Sequence, residues 1–465
     1  MAKTRTQIFW LLAAVCPICD SFVAILPISR QASIAGSQRE RDKVQLATPT
    51  QMTTNNVARA ENLVDRAHAM NERANHELPL TEAELDGIIL SIRNVYPDDG
   101  QLDFDELRAF LGEVAHLSHK NWTRTGMNSE VLAKILIPQG ISSNARQLLA
   151  RIVQEGNWDG AARHAASNIA DDLPWAVLVT GVNGIRKTTS MYQPWFTALL
   201  TEALVAPAGR PAVFDTSVLP SGQTAFFRQL GKLVCSSLRV TSVSVSTDSH
   251  FFTKDHMIAT ICNEEFSVLY KLTGLAMNEG QDPPRDLVRK YSDLKASIFS
   301  RYRTLSELLG VALLREAQKL KSNCMMETSG RDVAMFTYVD EFFSEGYNKL
   351  ALHFIINDLS CAQESVDSRM IGEMKIGVEA VAANDTLQVI YSNAGGPYGS
   401  EVLPGVQEAS DRVWNEVVLK NDGVGEDWFK ATIAINAHPT KPWTAQAVRP
   451  DGTLGCIHVF EASSS

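Results

Sequence analysis

Lys187, Thr188 and Thr189 are the residues whose types and spacing most directly suggest chemistry. They close the stretch Gly181-Val182-Asn183-Gly184-Ile185-Arg186-Lys187-Thr188-Thr189, which fits the phosphate-loop template G-x-x-x-x-G-K-[ST] at Gly181, Lys187 and Thr188. In such a loop successive backbone N–H groups wrap phosphate oxygens and the lysine ammonium adds a point charge. The threonine hydroxyl ligates Mg²⁺, and the helix that follows turns its positive end toward the anion. The chemistry implied is the binding of phosphate groups with Mg²⁺. Arg186 stands where the template has its second glycine. A side chain there either crowds the β-phosphate or, being cationic, reaches around to bind it.

Other polar residues gather at the ends of apolar runs. Asn323 to Glu327 reads as a strand that opens into Thr328-Ser329-Gly330-Arg331-Asp332, and Lys349 to Asn357 is a second strand with no polar gap. Behind it, Cys361 to Met370 reads as a helix carrying Arg369. Ala212 to Asp215 is a short strand ending in a carboxylate, and ligand-facing groups collect beyond the carboxyl ends of parallel strands. Asp215 is therefore a candidate acid–base or magnesium-shell residue, with a capping or turn Asp as the plain alternative.

The elements that must position these groups are strands and helices in alternation. Ala176-Val177-Leu178-Val179 feeds the phosphate loop, and near-continuous apolar strands separated by helices predict a parallel sheet covered on both faces. Helices are expected between Asp255 and Leu320, where Arg285, Arg289, Lys290, Arg301 and Arg303 read as solvated faces. The segment Gly231 to Lys254 is Ser/Val/Thr-rich and interrupts a helical pattern running from Ala225-Phe226-Phe227-Arg228-Gln229-Leu230 into Asp255. It reads either as a retained intron or as a hairpin insertion.

Upstream, residues 56–172 read as mostly helical. Thr81 and Glu84 sit at capping-box distance, and Leu85, Ile88, Ile89 and Ile92 make one apolar face. Helix, acidic Gly-turn, helix over 82–118 resembles an EF-hand, with Asp99, Gln101, Asp103 and Glu106 as possible Ca²⁺ ligands. Val95 and Pro97 occupy the first and third loop positions, so two oxygen ligands are absent, and weak Ca²⁺ binding and a purely structural helix pair stay as alternatives. Residues 1–45 have the build of a targeting leader, secretory or plastid-type, with an apolar tail on a cytoplasmic protein as the other reading. Downstream, residues 378–465 predict a small β-rich accessory domain, with strands at Leu387–Tyr391, Phe429–Ile435, Trp443–Val448 and Cys456–Phe460. His458 alternates along the last of these and reads as packed.

At 465 residues, 45% hydrophobic and 21% charged, the chain has globular composition and length for two or three domains. A formal net charge of −10 gives no basic footprint for nucleic acid, and membrane contact is expected only through the leader. The seven cysteines lack paired spacing beyond Cys16 and Cys19 and read as reduced thiols.

Together, GVNGIRKTT, the strand end Glu327 to Asp332, and the helix ending Ser368-Arg369-Met370 resemble the zeta-toxin family of P-loop kinases over 173–377. The resemblance implies a P-loop NTPase-type α/β core that transfers the γ-phosphoryl group to a hydroxyl of a small acceptor such as a nucleotide sugar. It implies that ATP or GTP sits on the loop with Lys187 and Thr188 holding phosphate and Mg²⁺, that Glu327, Thr328 and Arg331 line the acceptor side, and that Arg369 faces the transferring group. Asp215 matches the position of the base, with Asp255 as runner-up. A nucleotide-binding, Ca²⁺-responsive regulator without transfer, and an interaction protein that kept the fold, are the alternatives.

Overall fold

The computed structural model describes residues 78–95, 102–138, 140, 157–167, 173–191, 193–209, 226–229, 254–277, 281–343, 346–393 and 398–461. Its centre is Trp175–Thr180 (β1), every residue of which is buried. Trp175, Val177 and Val179 enter one hydrophobic core, while Ala176 and Leu178 enter the other. Both faces of the strand are covered, which is why the run shows no polar alternation.

The remaining strands are β2 (Leu204–Val205), β3 (Phe226–Gln229), β4 (Asn323–Glu327), β5 (Asn348–Ile356), β6 (Phe429–Asn436), β7 (Thr444–Val448) and β8 (His458–Val459). They form one eight-stranded sheet ordered β3-β4-β1-β5-β6-β7-β8, with β2 paired to β6. The pairs from β3 to β6 are parallel, whereas β6 with β7, β7 with β8 and β2 with β6 are antiparallel. The fold is α/β, a mixed sheet with a parallel core and an antiparallel C-terminal part. The first strand in sequence, β1, lies mid-sheet; β2 pairs with β6, β3 forms the edge beyond β4, and the chain returns through β4 before crossing β1 to β5 and β6. The carboxyl end of β1 is thus where an open α/β sheet collects its ligands.

The helices are α1 (Glu82–Arg93), α2 (Phe104–Val114), α3 (Trp122–Leu136), α4 (Trp158–Ser167), α5 (Lys187–Met191), α6 (Phe196–Ala203), α7 (Lys254–Ile261), α8 (Asn263–Ala276), α9 (Arg285–Arg301), α10 (Arg303–Lys319), α11 (Ala334–Phe342), α12 (Leu359–Ala382), α13 (Thr386–Ser392) and α14 (Leu403–Val413). The Thr81 and Glu84 capping box starts α1 as its spacing predicts. Glu84 also pairs with Arg301, 2.8 Å away, so Arg301 is buried against the N-terminal helices and is not a solvated face. Trp122 of α3 donates to Ala334 O at 2.9 Å and packs edge-on against Tyr338. These contacts seat α1 and α3 on the helices that cover the sheet.

Three expectations change. Phe226–Gln229 is a strand, held by parallel pairing from Phe226↔Asn323 to Gln229↔Met326, and not part of a helix continuing into α7. Leu387–Tyr391 lies in helix α13, because the Asp385 side chain accepts the Gln388 N–H and caps a helical turn there. The C-terminal strands do not form a sheet of their own: β6 pairs in parallel with β5 from Leu350↔Phe429 to Ile356↔Ile435, and the expected boundary at Val378 falls inside α12. The leader and the segment 231–253 lie outside the described residues.

Candidate functional site

The loop after β1 is laid against the end of β4. Thr328 N–H donates to Val179 O at 2.9 Å, and Gly181 N–H donates to Ser329 O at 3.1 Å. Gly181 has φ 122°, and a Cβ there would lie 2.5 Å from Phe354 O. Gly184 has φ 86°, and its Cβ would lie 2.6 Å from Ala362 O. Both positions demand glycine for conformation and for space.

Arg186 also takes the left-handed conformation, φ 61°, that the template's second glycine supplies without strain. An arginine held there costs roughly 1–2 kcal/mol. Its guanidinium Cζ lies 4.3 Å from the Trp443 ring centroid and 5.4 Å from that of Phe460. The side chain therefore rests on aromatic rings of the C-terminal strands, and burial pulls its pKa below the ordinary arginine value. A cation over desolvated rings gains about 0.5–2 kcal/mol, enough to offset most of the backbone cost.

Lys187 is buried. Its Nζ donates to Gly181 O and Val182 O, each at 2.8 Å, and pairs with Glu327 at 3.1 Å. Thr188 Oγ1 donates to the other carboxylate oxygen of Glu327 at 2.9 Å. Glu327 reaches both because the parallel register places it opposite Val179, directly under the loop. Burial pulls the Lys187 pKa down, the Glu327 charge and hydrogen bond oppose that, and the Arg369 charge adds to the lowering. Arg369 therefore lies within electrostatic reach of the loop. Expected on the acceptor side, Glu327 instead gives its carboxylate to Lys187 and Thr188. Helix α5 spans only five residues before the turn around Pro194, so loop amides and Lys187 must supply most of the positive potential.

Thr328 and Ser329 are half-buried beside Glu327, while Arg331 is exposed. Arg331 Nη2 donates to Tyr398 Oη at 3.1 Å, with its Cζ 5.0 Å from that ring centroid. The structure brings Gly181 to Thr189, Glu327 and Thr328 together, with Arg369 close by and Arg331 on the rim. Asp215 lies outside the described residues, and only the backbone of Asp255, in the first turn of α7, is described.

Sequence reasoning missed the support beneath the loop. Thr180, the last residue of β1, has its Oγ1 2.9 Å from His353 Nδ1 and 3.1 Å from Leu352 O. His353 Nε2 lies 3.2 Å from Asp411 Oδ1, and the imidazole stacks on Trp414. The carboxylate can only accept, so a neutral ring carries its proton on Nε2, and the single Thr180 hydroxyl proton is shared between Nδ1 and Leu352 O. Burial lowers the His353 pKa, Asp411 opposes this, and the Lys187 charge adds to it. A histidine inside an otherwise apolar strand was the signal available.

In the EF-hand-like pair, α1 and α2 are present. The Asp103 carboxylate caps α2, accepting from Asp105 N–H at 3.0 Å and Glu106 N–H at 2.9 Å. Glu106 is exposed, and Asp99 and Gln101 lie outside the described residues. Among the described residues no group of three or more His, Cys, Asp or Glu could hold a metal ion.

No family model, no curated protein and no solved structure matches this chain.

Proposed function

We propose that this chain is a nucleotide-binding phosphotransferase of the P-loop kinase type, with a site similar to that of zeta-toxin kinases. One observation carries the reading: Lys187 and Thr188 both converge on Glu327, a carboxylate at the end of the neighbouring parallel strand. That is the arrangement by which P-loop enzymes hold nucleotide and Mg²⁺, with an acidic strand end completing the metal shell. Left-handed backbone, as at Gly181, Gly184 and Arg186, is a conformation from which anion-binding loops of successive amides are built.

Thr188 and Glu327 would hold Mg²⁺, which would neutralise charge on the phosphoryl oxygens. Lys187 would leave the Gly181 and Val182 carbonyls for the bound phosphates, and Arg369 would face the transferring group. Transfer forms a bond from the acceptor oxygen to the γ-phosphorus and breaks that phosphorus's bridging bond to the nucleoside diphosphate. The acceptor proton passes to a base, for which Asp215 and Asp255 are the candidates. The acceptor is a small molecule with a hydroxyl, such as a nucleotide sugar, approached past Thr328 and Arg331.

The closed Lys187 network, satisfied by its own loop and Glu327, favours a second reading as a nucleotide-binding module without transfer. Full-length protein titrated with Mg·ATP and Mg·GTP, then incubated with γ-labelled nucleotide and a nucleotide-sugar panel, separates the two. Nucleotide binding lost in Lys187→Ala together with labelled acceptor is the expected result. Binding without any transfer selects the module. Absence of binding, or binding indifferent to Lys187→Ala, overturns both.

A further inference from the structure

We infer that Trp443 and Phe460 act on the phosphate loop as positioning residues, holding Arg186 in the left-handed conformation that a glycine would otherwise supply. Arg186 has φ 61° at the template's second glycine, a conformation its side chain disfavours. Its guanidinium is the group that the C-terminal strands grip, over the Trp443 ring at 4.3 Å and the Phe460 ring at 5.4 Å.

The grip is itself braced. Trp443 Nε1 donates to His438 O at 3.1 Å, and Phe460 N–H donates to Trp443 O at 3.1 Å, so the two rings are fixed on one antiparallel pair. Trp195 stands edge-on to Phe460 at 5.3 Å and donates from Nε1 to Val459 O at 2.9 Å. Trp195 precedes α6, shortly after α5 ends at Met191, so the chain on both sides of Lys187 and Thr188 is tied to β7, β8 and the residues flanking them. The antiparallel C-terminal part of the sheet thus completes a loop whose own sequence departs from the template.

This inference rests on the phosphate-loop reading for its functional consequence, and the loop conformation can be read without nucleotide. The test is a mutant cycle with Trp443→Leu, Arg186→Gly and the double variant. The readouts are amide exchange over 182–188 in nucleotide-free protein and affinity for a fluorescent ATP analogue. Trp443→Leu is expected to speed exchange in the loop and weaken the analogue by about tenfold, the factor that loss of a partly desolvated cation–π contact produces. With Arg186→Gly present, nothing is left to grip and no left-handed strain remains, so adding Trp443→Leu is expected to change either readout by no more than about twofold.

Equal effects of Trp443→Leu with and without Arg186, or unchanged loop exchange in Trp443→Leu, overturn the inference. If the unmodified protein binds no nucleotide, the proposed function falls, while loop exchange still decides this inference. A global loss of folding in Trp443→Leu is recognised from exchange across β1 and β5; Trp443→Phe, which keeps a π face, then serves in its place, with about half the effect expected and no effect overturning.

Discussion

Among the described residues two lysine–glutamate pairs lie out of water, Lys187 with Glu327 at the carboxyl end of β1, and Lys295 with Glu373 between α9 and α12. The second pair is the more deeply buried, both side chains at 0% exposure and 2.6 Å apart. Tyr291 also donates to Glu373, Tyr270 stacks on Tyr291, and the Phe299 ring lies 5.7 Å from the ammonium. Burial first, and then the Glu373 charge, push both tyrosines above the ordinary phenol range, so all these hydroxyls keep their protons. Each of these residues stands on a helix, and Tyr270 packs so closely on Gly377 that a Cβ there would lie 2.2 Å from its ring.

The Lys187 pair has the same charges in a different mounting. Its lysine sits at the end of a glycine-containing loop, two of its partners are carbonyls of that loop, and half-buried Asn183, Thr189 and Thr328 flank it. Burial and pairing are therefore not what distinguishes a site. Exchangeable backbone partners on a loop are, because a ligand can replace them without leaving a buried charge alone.

The largest effect expected from this contrast is on the helical pair. Lys295→Met leaves Glu373 buried without its cation and is expected to cost about 3–5 kcal/mol in denaturant unfolding, with Lys295→Met/Glu373→Leu recovering much of it. A loss below about 1 kcal/mol for the single variant would break the comparison. Next, Lys187→Ala is expected to weaken Mg·ATP or Mg·GTP by about a hundredfold, the worth of charge-assisted bonds to phosphate, measured by calorimetric titration. Glu327→Gln keeps a partner for Thr188 and removes the carboxylate. It is expected to reduce Mg²⁺-dependent nucleotide affinity by roughly 10–100-fold, with little change in Mg²⁺-free binding. Equal losses with and without Mg²⁺ would move Glu327 from the metal shell to a purely structural part.

The smallest effect concerns the support under the loop. The folded-state pKa of His353 is lowered from 6.5, so its neutral form is the one the fold favours. The stability it contributes is fully present above about pH 6.5 and is lost as pH falls through its lower folded value. Thermal unfolding followed from pH 8 to 5 is expected to decline on the acid side, and His353→Gln is expected to flatten that decline. An identical acid limb in the variant would assign it to other groups.

Several elements were legible before any coordinates. β1, β4 and β5 are largely apolar runs without alternation, and β4 occupies the expected Asn323–Glu327. Their shortness and the helices between them point to strands covered on both faces. Phe226–Gln229 was not legible, since four residues carry no period and only the ladder with β4 makes them a strand. Leu387–Tyr391 misled because its apolar residues suit either element, and the Asp385 cap decided it.

By itself, the sequence determined the phosphate-loop pattern, the strands that feed it and the anomaly at Arg186, because these are local matters of residue type and spacing. Tertiary structure alone decided that Glu327 meets Lys187 and Thr188, since only the parallel register of β1 and β4 brings residues 139 apart into hydrogen bonding. It likewise decided where the Arg186 guanidinium rests. A cation's partner depends on which ring the sheet delivers to it, and Trp443 is delivered by strands the sequence had assigned to a separate domain.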